Sequence, residues 1–150
     1  MPDEPDLSCT THDEPAADEA LLVDAALEHA NQAAAPLHQV RPLATFARLG
    51  PGEPIGGAIG RTWGACCELQ QLWVHPDHRR RGIASRLVRA FEARARQRGC
   101  RTFYLETFSF QAPALYRSLG YEVASELHGF APGVIKYLMV RREQPGAATG

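Results

Sequence analysis

No stretch of this chain approaches the ~18 consecutive apolar residues of a membrane-spanning helix, so no helical span is expected. Its four cysteines, Cys9, Cys66, Cys67 and Cys100, form no C-x-x-C pair, and none stands at zinc-ligand spacing from a histidine. No metal site is therefore expected, and the thiols read as reduced. Cys66 and Cys67 are neighbours in an apparent strand, which sends one of them into the core. The start, Met1-Pro2-Asp3-Glu4, has no basic segment leading into an apolar one, and the expectation is a cytoplasmic protein. Internal repeats are also lacking. With 45% hydrophobic and 22% charged residues in 150, the composition is that of one globular domain, 1–150, with mobile ends at about 1–10 and 143–150.

Net charge is only −1, but its distribution is uneven. The first 28 residues hold nine of the 17 acids and no Lys or Arg, whereas 79–101 hold nine of the 16 basic residues. Arg86, Arg89, Arg94, Arg96 and Arg98 read as the solvated face of a helix. Interleaved aromatics and a basic net charge are both missing, so a nucleic-acid partner is not expected.

Leu21, Leu22, Ala25, Ala26, His29 and Ala33 recur at helical spacing and stop before Pro36, predicting a first helix that packs one side on a sheet. Segments 43–49 and 55–63, around the turn at 51–54, read as two paired strands, and 65–74 as a third. An amphipathic stripe from Ile83 to Gln97, closed by Gly99, predicts a helix. A strand at 102–107, a helix at 112–119 and strands at 121–127 and 134–140 complete the order, and 7–11 offers a further edge strand. The layout is α+β: about four helices flank a mixed, mostly antiparallel sheet of six to seven strands.

The most informative stretch is Trp73-Val74-His75-Pro76-Asp77-His78-Arg79-Arg80-Arg81-Gly82-Ile83-Ala84. An apolar strand ends at Pro76, and a glycine-bearing loop opens a helix whose first N–H groups lack intrahelical partners. The helix dipole adds partial positive charge there, and three arginines add formal charge, so the stretch predicts a phosphate-binding turn.

The spacing Arg79-x-x-Gly82-x-Ala84 between strand and helix resembles the acyl-CoA loop of the GNAT N-acetyltransferase superfamily, Q/R-x-x-G-x-G/A. A second segment, Leu105-Glu106-Thr107-Phe108-Ser109-Phe110-Gln111-Ala112 continuing to Leu115-Tyr116-Arg117-Ser118-Leu119-Gly120-Tyr121, is similar to the family's strand-to-helix stretch bearing A-x-x-x-Y-x-x-x-G-F/Y. Together they span about 65–124 in the family's order. The resemblance implies the GNAT acyl-CoA N-acyltransferase fold and transfer of an acetyl group from acetyl-CoA, without a metal, to a primary amine in a ternary complex. It also implies that backbone groups around Leu72, Trp73 and Val74 hold the pantetheine arm and the acyl carbonyl. Arg79, Arg80, Arg81, Gly82, Ile83, Ala84 and Ser85 would hold the pyrophosphate. Tyr116 would protonate the leaving thiolate, and Ser109 stands where many relatives have a CoA-contacting Asn.

The base is less marked. Strand alternation puts Glu68, Gln70, Leu72 and Val74 on one face, and Gln70 stands where relatives often carry a Glu. Glutamine cannot accept a proton, which leaves Glu68 or, on the neighbouring strand, Glu106. A small-molecule amine acceptor and a homodimer are the expected partners. The alternative function is a non-catalytic CoA-binding regulatory module, to which Gln70 and Ser109 lend support.

Overall fold

A computed structural model of the protein describes residues 5–144. They fall into two compact units with the boundary between Leu37 and His38. In the first unit, α1 (Ala17–Ala34) ends just before Pro36 as its periodicity predicts, and none of its residues is buried. Residues 7–11 form no strand. Every residue of that run is exposed, Leu7 by 92%, so no side chain anchors it to a sheet edge.

The second unit is built on one six-stranded sheet, β1 (Arg41–Arg48), β2 (Pro54–Trp63), β3 (Cys66–Val74), β4 (Thr102–Phe108), β5 (Glu122–Leu127) and β6 (Lys136–Arg142), in the order β1-β2-β3-β4-β6-β5. Only β3 and β4 run parallel. Pro42 is tolerated because β1 is an edge strand, where a missing N–H breaks no interior ladder. α2 (Ile83–Gln97) provides the crossover between β3 and β4, and α3 (Pro113–Ser118) follows β4. Among the described residues three α-helices thus stand where about four were expected. The remainder of the helical signal is two short 3-10 turns, Leu37–Gln39 and Pro76–His78.

The core lies on one face of the sheet. Leu87, Val88, Phe91 and Ala95 of α2 join Ala58, Cys67, Leu69, Phe103, Leu105 and Met139 from the strands and Tyr116 and Leu119 from the α3 segment in one buried cluster. Cys67 is in that core and Cys66 is exposed, as their adjacency in a strand requires. Glu92 is an acid inside the cluster, 1% exposed. Burial pushes its carboxyl pKa up, while the Tyr121 hydroxyl, donating at 2.8 Å, and Arg141 at 3.2 Å offset that penalty.

Two expectations about charged residues fail because partners were available. Arg96 and Arg98 are not simply solvated: Arg96 pairs with Glu143 at 2.7 Å, and Arg98 donates to the Pro42 carbonyl and the Thr62 hydroxyl. Glu143 is correspondingly no part of a loose tail, since its N–H also donates to the Arg101 carbonyl. The rest of the two predicted mobile ends falls partly outside the described residues.

The expected alternation along β3 is broken. Ile59 pairs with Gln71 while the adjacent Gly60 pairs with Leu69, so Gln70 is an extra, bulged residue. Cys67 and Leu69 before the bulge and Leu72 and Val74 after it all lean toward the core, which puts Glu68 on the opposite face from Leu72 and Val74. Gly60 permits this. A Cβ there would lie 1.9 Å from the Glu68 carbonyl oxygen and 2.9 Å from Phe91.

Candidate active site

Beyond the bulge, β3 and β4 part company. Their pairing runs from Cys66 opposite Thr102 to Leu69 opposite Leu105 and stops, although β3 continues to Val74 and β4 to Phe108. The directions of the freed backbone groups follow from the outer ladders. His75 N–H donates to the Ile55 carbonyl at 2.7 Å, so alternation turns the N–H and C=O groups of Leu72 and Val74 away from β2 and into the gap. Ser109 N–H donates to the Ile135 carbonyl at 2.8 Å, so Glu106 and Phe108 face the gap from the other side. The fold therefore opens a wedge whose rims carry main-chain groups with no partner on the facing strand.

At the end of β3 the His75 ring caps the short turn by accepting from Asp77 N–H at 3.1 Å. The chain then takes two left-handed residues, Arg80 at φ 62° and Gly82 at φ 74°, and enters α2 without a side-chain cap. Arg80 through Ser85 donate no main-chain N–H to any described residue, while the Gly82 carbonyl already receives Arg86 N–H. A row of bare amides beside arginines results, and such a concave row attracts anions.

A cleft of about 740 Å³ adjoins this turn. It is lined by Leu72, Trp73 and Val74 from β3, by His78, Arg79, Arg80, Gly82, Ile83, Ala84 and Ser85 from the turn, and by Phe110, Gln111, Ala112 and Leu115 from the opposite rim. All the predicted β3 and loop residues except Arg81 are thus brought to one cavity. Arg79 has a structural duty as well, because its Nε donates to the Val74 carbonyl at 3.0 Å. The sequence reading missed His78, whose Nδ1 is sealed from solvent without a hydrogen-bond partner among the described residues. It lies between the strand end and the recognisable loop spacing, where no pattern marked it.

A second cavity, of about 320 Å³, lies where the strands separate, lined by Glu68, Leu69, Gln70, Tyr104, Glu106, Phe108, Gln111 and Lys136. The two predicted carboxylates are therefore brought together. Glu68 accepts from the Tyr104 hydroxyl at 3.0 Å and from Arg61 at 3.3 Å, and Glu106 pairs with Lys136 at 2.7 Å. Burial, and then the bond to Glu68, pushes the Tyr104 phenol up to about 12. Gln111 borders both cavities. Sequence alone gave no signal for Tyr104, Lys136 or Gln111, since each joins the site through the divergence of the strands.

Tyr116 is 7% exposed and lines neither cavity, although Ala112 and Leu115 on the same segment line the larger one. Its ring packs edge-on against Tyr121 at 6.0 Å, and burial alone pushes its phenol up to about 12. Ser109 is committed elsewhere: its hydroxyl donates to the Gly133 carbonyl at 3.2 Å and accepts Ile135 N–H at 3.0 Å. The structure does not bring it to the cleft. Among the described residues no cluster of His, Cys, Asp or Glu could hold a metal ion, and no helix is long and apolar enough to cross a membrane.

The described residues thus form an α+β architecture whose mixed sheet splits at its one parallel pair, with an anion-attracting turn at the mouth of the split. Comparison with known proteins gives the family. The profile of the acetyltransferase (GNAT) family matches residues 22–121. The chain is 37% identical over 110 residues to blasticidin-S acetyltransferase of Streptomyces morookaense, covering 71% of this chain and 81% of that one. An acetyltransferase from Bacillus cereus ATCC 14579 shares the fold with a TM-score of 0.76 at 22% identity, covering 89% and 98% of the two chains. An aminoglycoside 6'-N-acetyltransferase solved with coenzyme A shares it with a TM-score of 0.60 at 22% identity, covering 71% and 76%. The chain belongs to the GNAT family of acetyltransferases, and it is an acyl-CoA N-acyltransferase.

Proposed function

We propose that the protein transfers the acetyl group of acetyl-CoA directly to a primary amine of a small-molecule acceptor, with both substrates bound at once. The observation that carries this reading is the row of unpaired amides from Arg80 to Ser85 at the mouth of an open wedge. The diphosphate of CoA binds those amides, as the aligned helix dipole and the neighbouring guanidiniums favour. The pantetheine arm lies along β3, hydrogen-bonded to the freed groups of Leu72 and to Val74 N–H. The acyl end then reaches the narrow end of the wedge, beside the cavity that holds Glu68 and Glu106.

The amine arrives there as its ammonium form and must lose a proton before it attacks. Glu68 or Glu106 takes that proton, directly or through a water. The amine nitrogen bonds to the thioester carbon, the carbonyl pair moves onto oxygen, and collapse reforms the carbonyl and breaks the C–S bond. Tyr116 lines neither cavity, and its role as donor of a proton to the departing sulfur rests on the family's A-x-x-x-Y-x-x-x-G-F/Y pattern. A phenol held protonated up to about 12 is always charged with that proton at neutral pH. As the C–S bond breaks the nitrogen sheds its second proton, which restores the Tyr116 phenol through solvent, and the products are a neutral amide and CoA thiol.

The acceptor class follows from the relative rather than from the pocket: blasticidin S, named in the 37%-identical enzyme, is the first amine to try. The test is a screen of amines, blasticidin S and aminoglycosides among them, against acetyl-CoA, with thiol release as the signal. Stoichiometric release with one amine, and none without it, is expected. Thermal stabilisation by CoA with no turnover on any amine would sink the reading.

A further inference from the structure

One side chain borders both the cofactor cleft and the amine cavity, and it holds none of the fixed positions of the two family-like segments. Gln111 sits in the gap that opens where β4 leaves β3. There Phe108, paired to Lys136 on β6, has no partner on β3, and Gln111 takes that place: Phe108 N–H donates to Gln111 Oε1 at 2.8 Å, and Gln111 N–H donates to the Phe108 carbonyl at 2.9 Å. The Thr107 hydroxyl, on a residue 3% exposed, donates to the same Oε1 at 3.3 Å.

These contacts fix which way the side-chain amide points. A main-chain N–H can only donate, so the atom facing Phe108 is the oxygen and the NH₂ group is turned away. Its two hydrogens have no partner among the described residues. A preoriented neutral donor is thus held at the junction of the two cavities. As the amine nitrogen adds to the thioester carbon, the carbonyl oxygen gains negative charge at that junction.

We infer that Gln111 Nε2 donates a hydrogen bond to the acyl carbonyl oxygen and stabilises the oxyanion formed on it. The role rests on the acyltransferase reading above. When the C–S bond breaks, the electron pair on oxygen returns to reform the carbonyl, and the bond to Nε2 weakens again. Because Oε1 is held by Phe108 and Thr107, the donor needs no reorganisation at the moment of reaction, which is the condition under which such donors accelerate chemistry most.

Two variants test it. Gln111→Glu keeps an oxygen for Phe108 and Thr107 and removes the donor, while Gln111→Met removes the donor without adding charge. Each is loaded with acetyl-CoA carrying ¹³C at the carbonyl, and the carbonyl stretch is read by isotope-edited infrared spectroscopy. The wild-type band should lie below that of free acetyl-CoA, and both variants should move it back up while CoA affinity stays within about threefold. With an amine identified by the screen, kcat should fall about 100-fold.

An unshifted band in folded, acetyl-CoA-bound Gln111→Glu overturns the inference while leaving the acyltransferase reading intact. A variant that loses CoA affinity but keeps the wild-type band and kcat overturns it too, by moving the donor to the pantetheine arm. Should wild-type protein fail to bind acetyl-CoA at all, the reading of the whole site goes first and the role of Gln111 goes with it.

Discussion

The two rims of the wedge handle the same problem in opposite ways. Both strands run past their last paired residue, and both leave main-chain groups pointing into the gap. On the β3–α2 rim the donors stay free: the helix starts without a side-chain cap, and no described group accepts the amides of Arg80 through Ser85. On the β4–α3 rim the chain binds itself, with Gln111 closing on Phe108 and the Ser109 hydroxyl clasping Gly133 and Ile135. A row of donors without protein acceptors is open to water or a ligand, whereas a self-satisfied rim is not. The first rim offers its donors to the proposed cofactor, and the second holds its own shape.

The sharpest way to break this contrast is to remove the split itself. In Gly60→Ala the new Cβ would sit 1.9 Å from the Glu68 carbonyl oxygen, so the bulge that reverses β3 must shift. Urea unfolding should show a loss of at least ~3 kcal/mol, at the upper end for overpacking, and a wild-type midpoint would show that the bulge does not depend on this glycine.

Gly82→Glu comes next. Nothing lies within 4 Å of a Cβ at Gly82, so the fold tolerates the change apart from the strain of φ 74° in a non-glycine residue. The carboxylate stands where the diphosphate is expected, and CoA affinity by calorimetry should drop by at least ~100-fold. Gly82→Ala shares the strain but lacks the charge, so it should retain most of the binding. Equal losses in the two would point to loop geometry rather than to the anion.

On the opposite rim, Tyr116→Phe should lower kcat at least ~10-fold with CoA affinity nearly unchanged. Raising the phenol's pKa stabilises its protonated form, so the acid is lost only as pH rises through the shifted value. An alkaline limb set by Tyr116 thus lies near 12 rather than near 10. A limb at the ordinary tyrosine position that vanishes in the Phe variant would contradict the burial seen here.

Ser109→Ala carries the smallest effect. Losing a donated and an accepted hydrogen bond should cost ~1–2 kcal/mol in unfolding free energy while CoA affinity stays within about twofold. A large loss of CoA affinity would instead restore Ser109 to the cofactor site.

The β3–α2 rim was largely legible in the sequence because its information is local. Pro76, Gly82 and the stripe from Leu87 to Ala95 are within one turn or one helix of each other, and propensity, spacing and dipole act over that range. The β4–α3 rim was less so. Ser109 and Tyr116 were named by resemblance, but whether a hydroxyl faces the cleft or a neighbouring loop depends on residues 24 to 26 positions away. Alternation failed along β3 for a related reason, since the bulge opposite Gly60 is a property of two strands together.

By itself, then, the sequence determined the order of elements, the helix that crosses from β3 to β4, and the glycine-bearing turn that leaves amides bare, because each depends on contacts between near neighbours. Only the tertiary structure decided that β3 and β4 separate after Leu69 and Leu105, that Glu68 and Glu106 meet across the gap, and that Gln111 stands between two cavities. Those outcomes come from register and strand divergence, which arise when distant segments pair and which no single segment encodes.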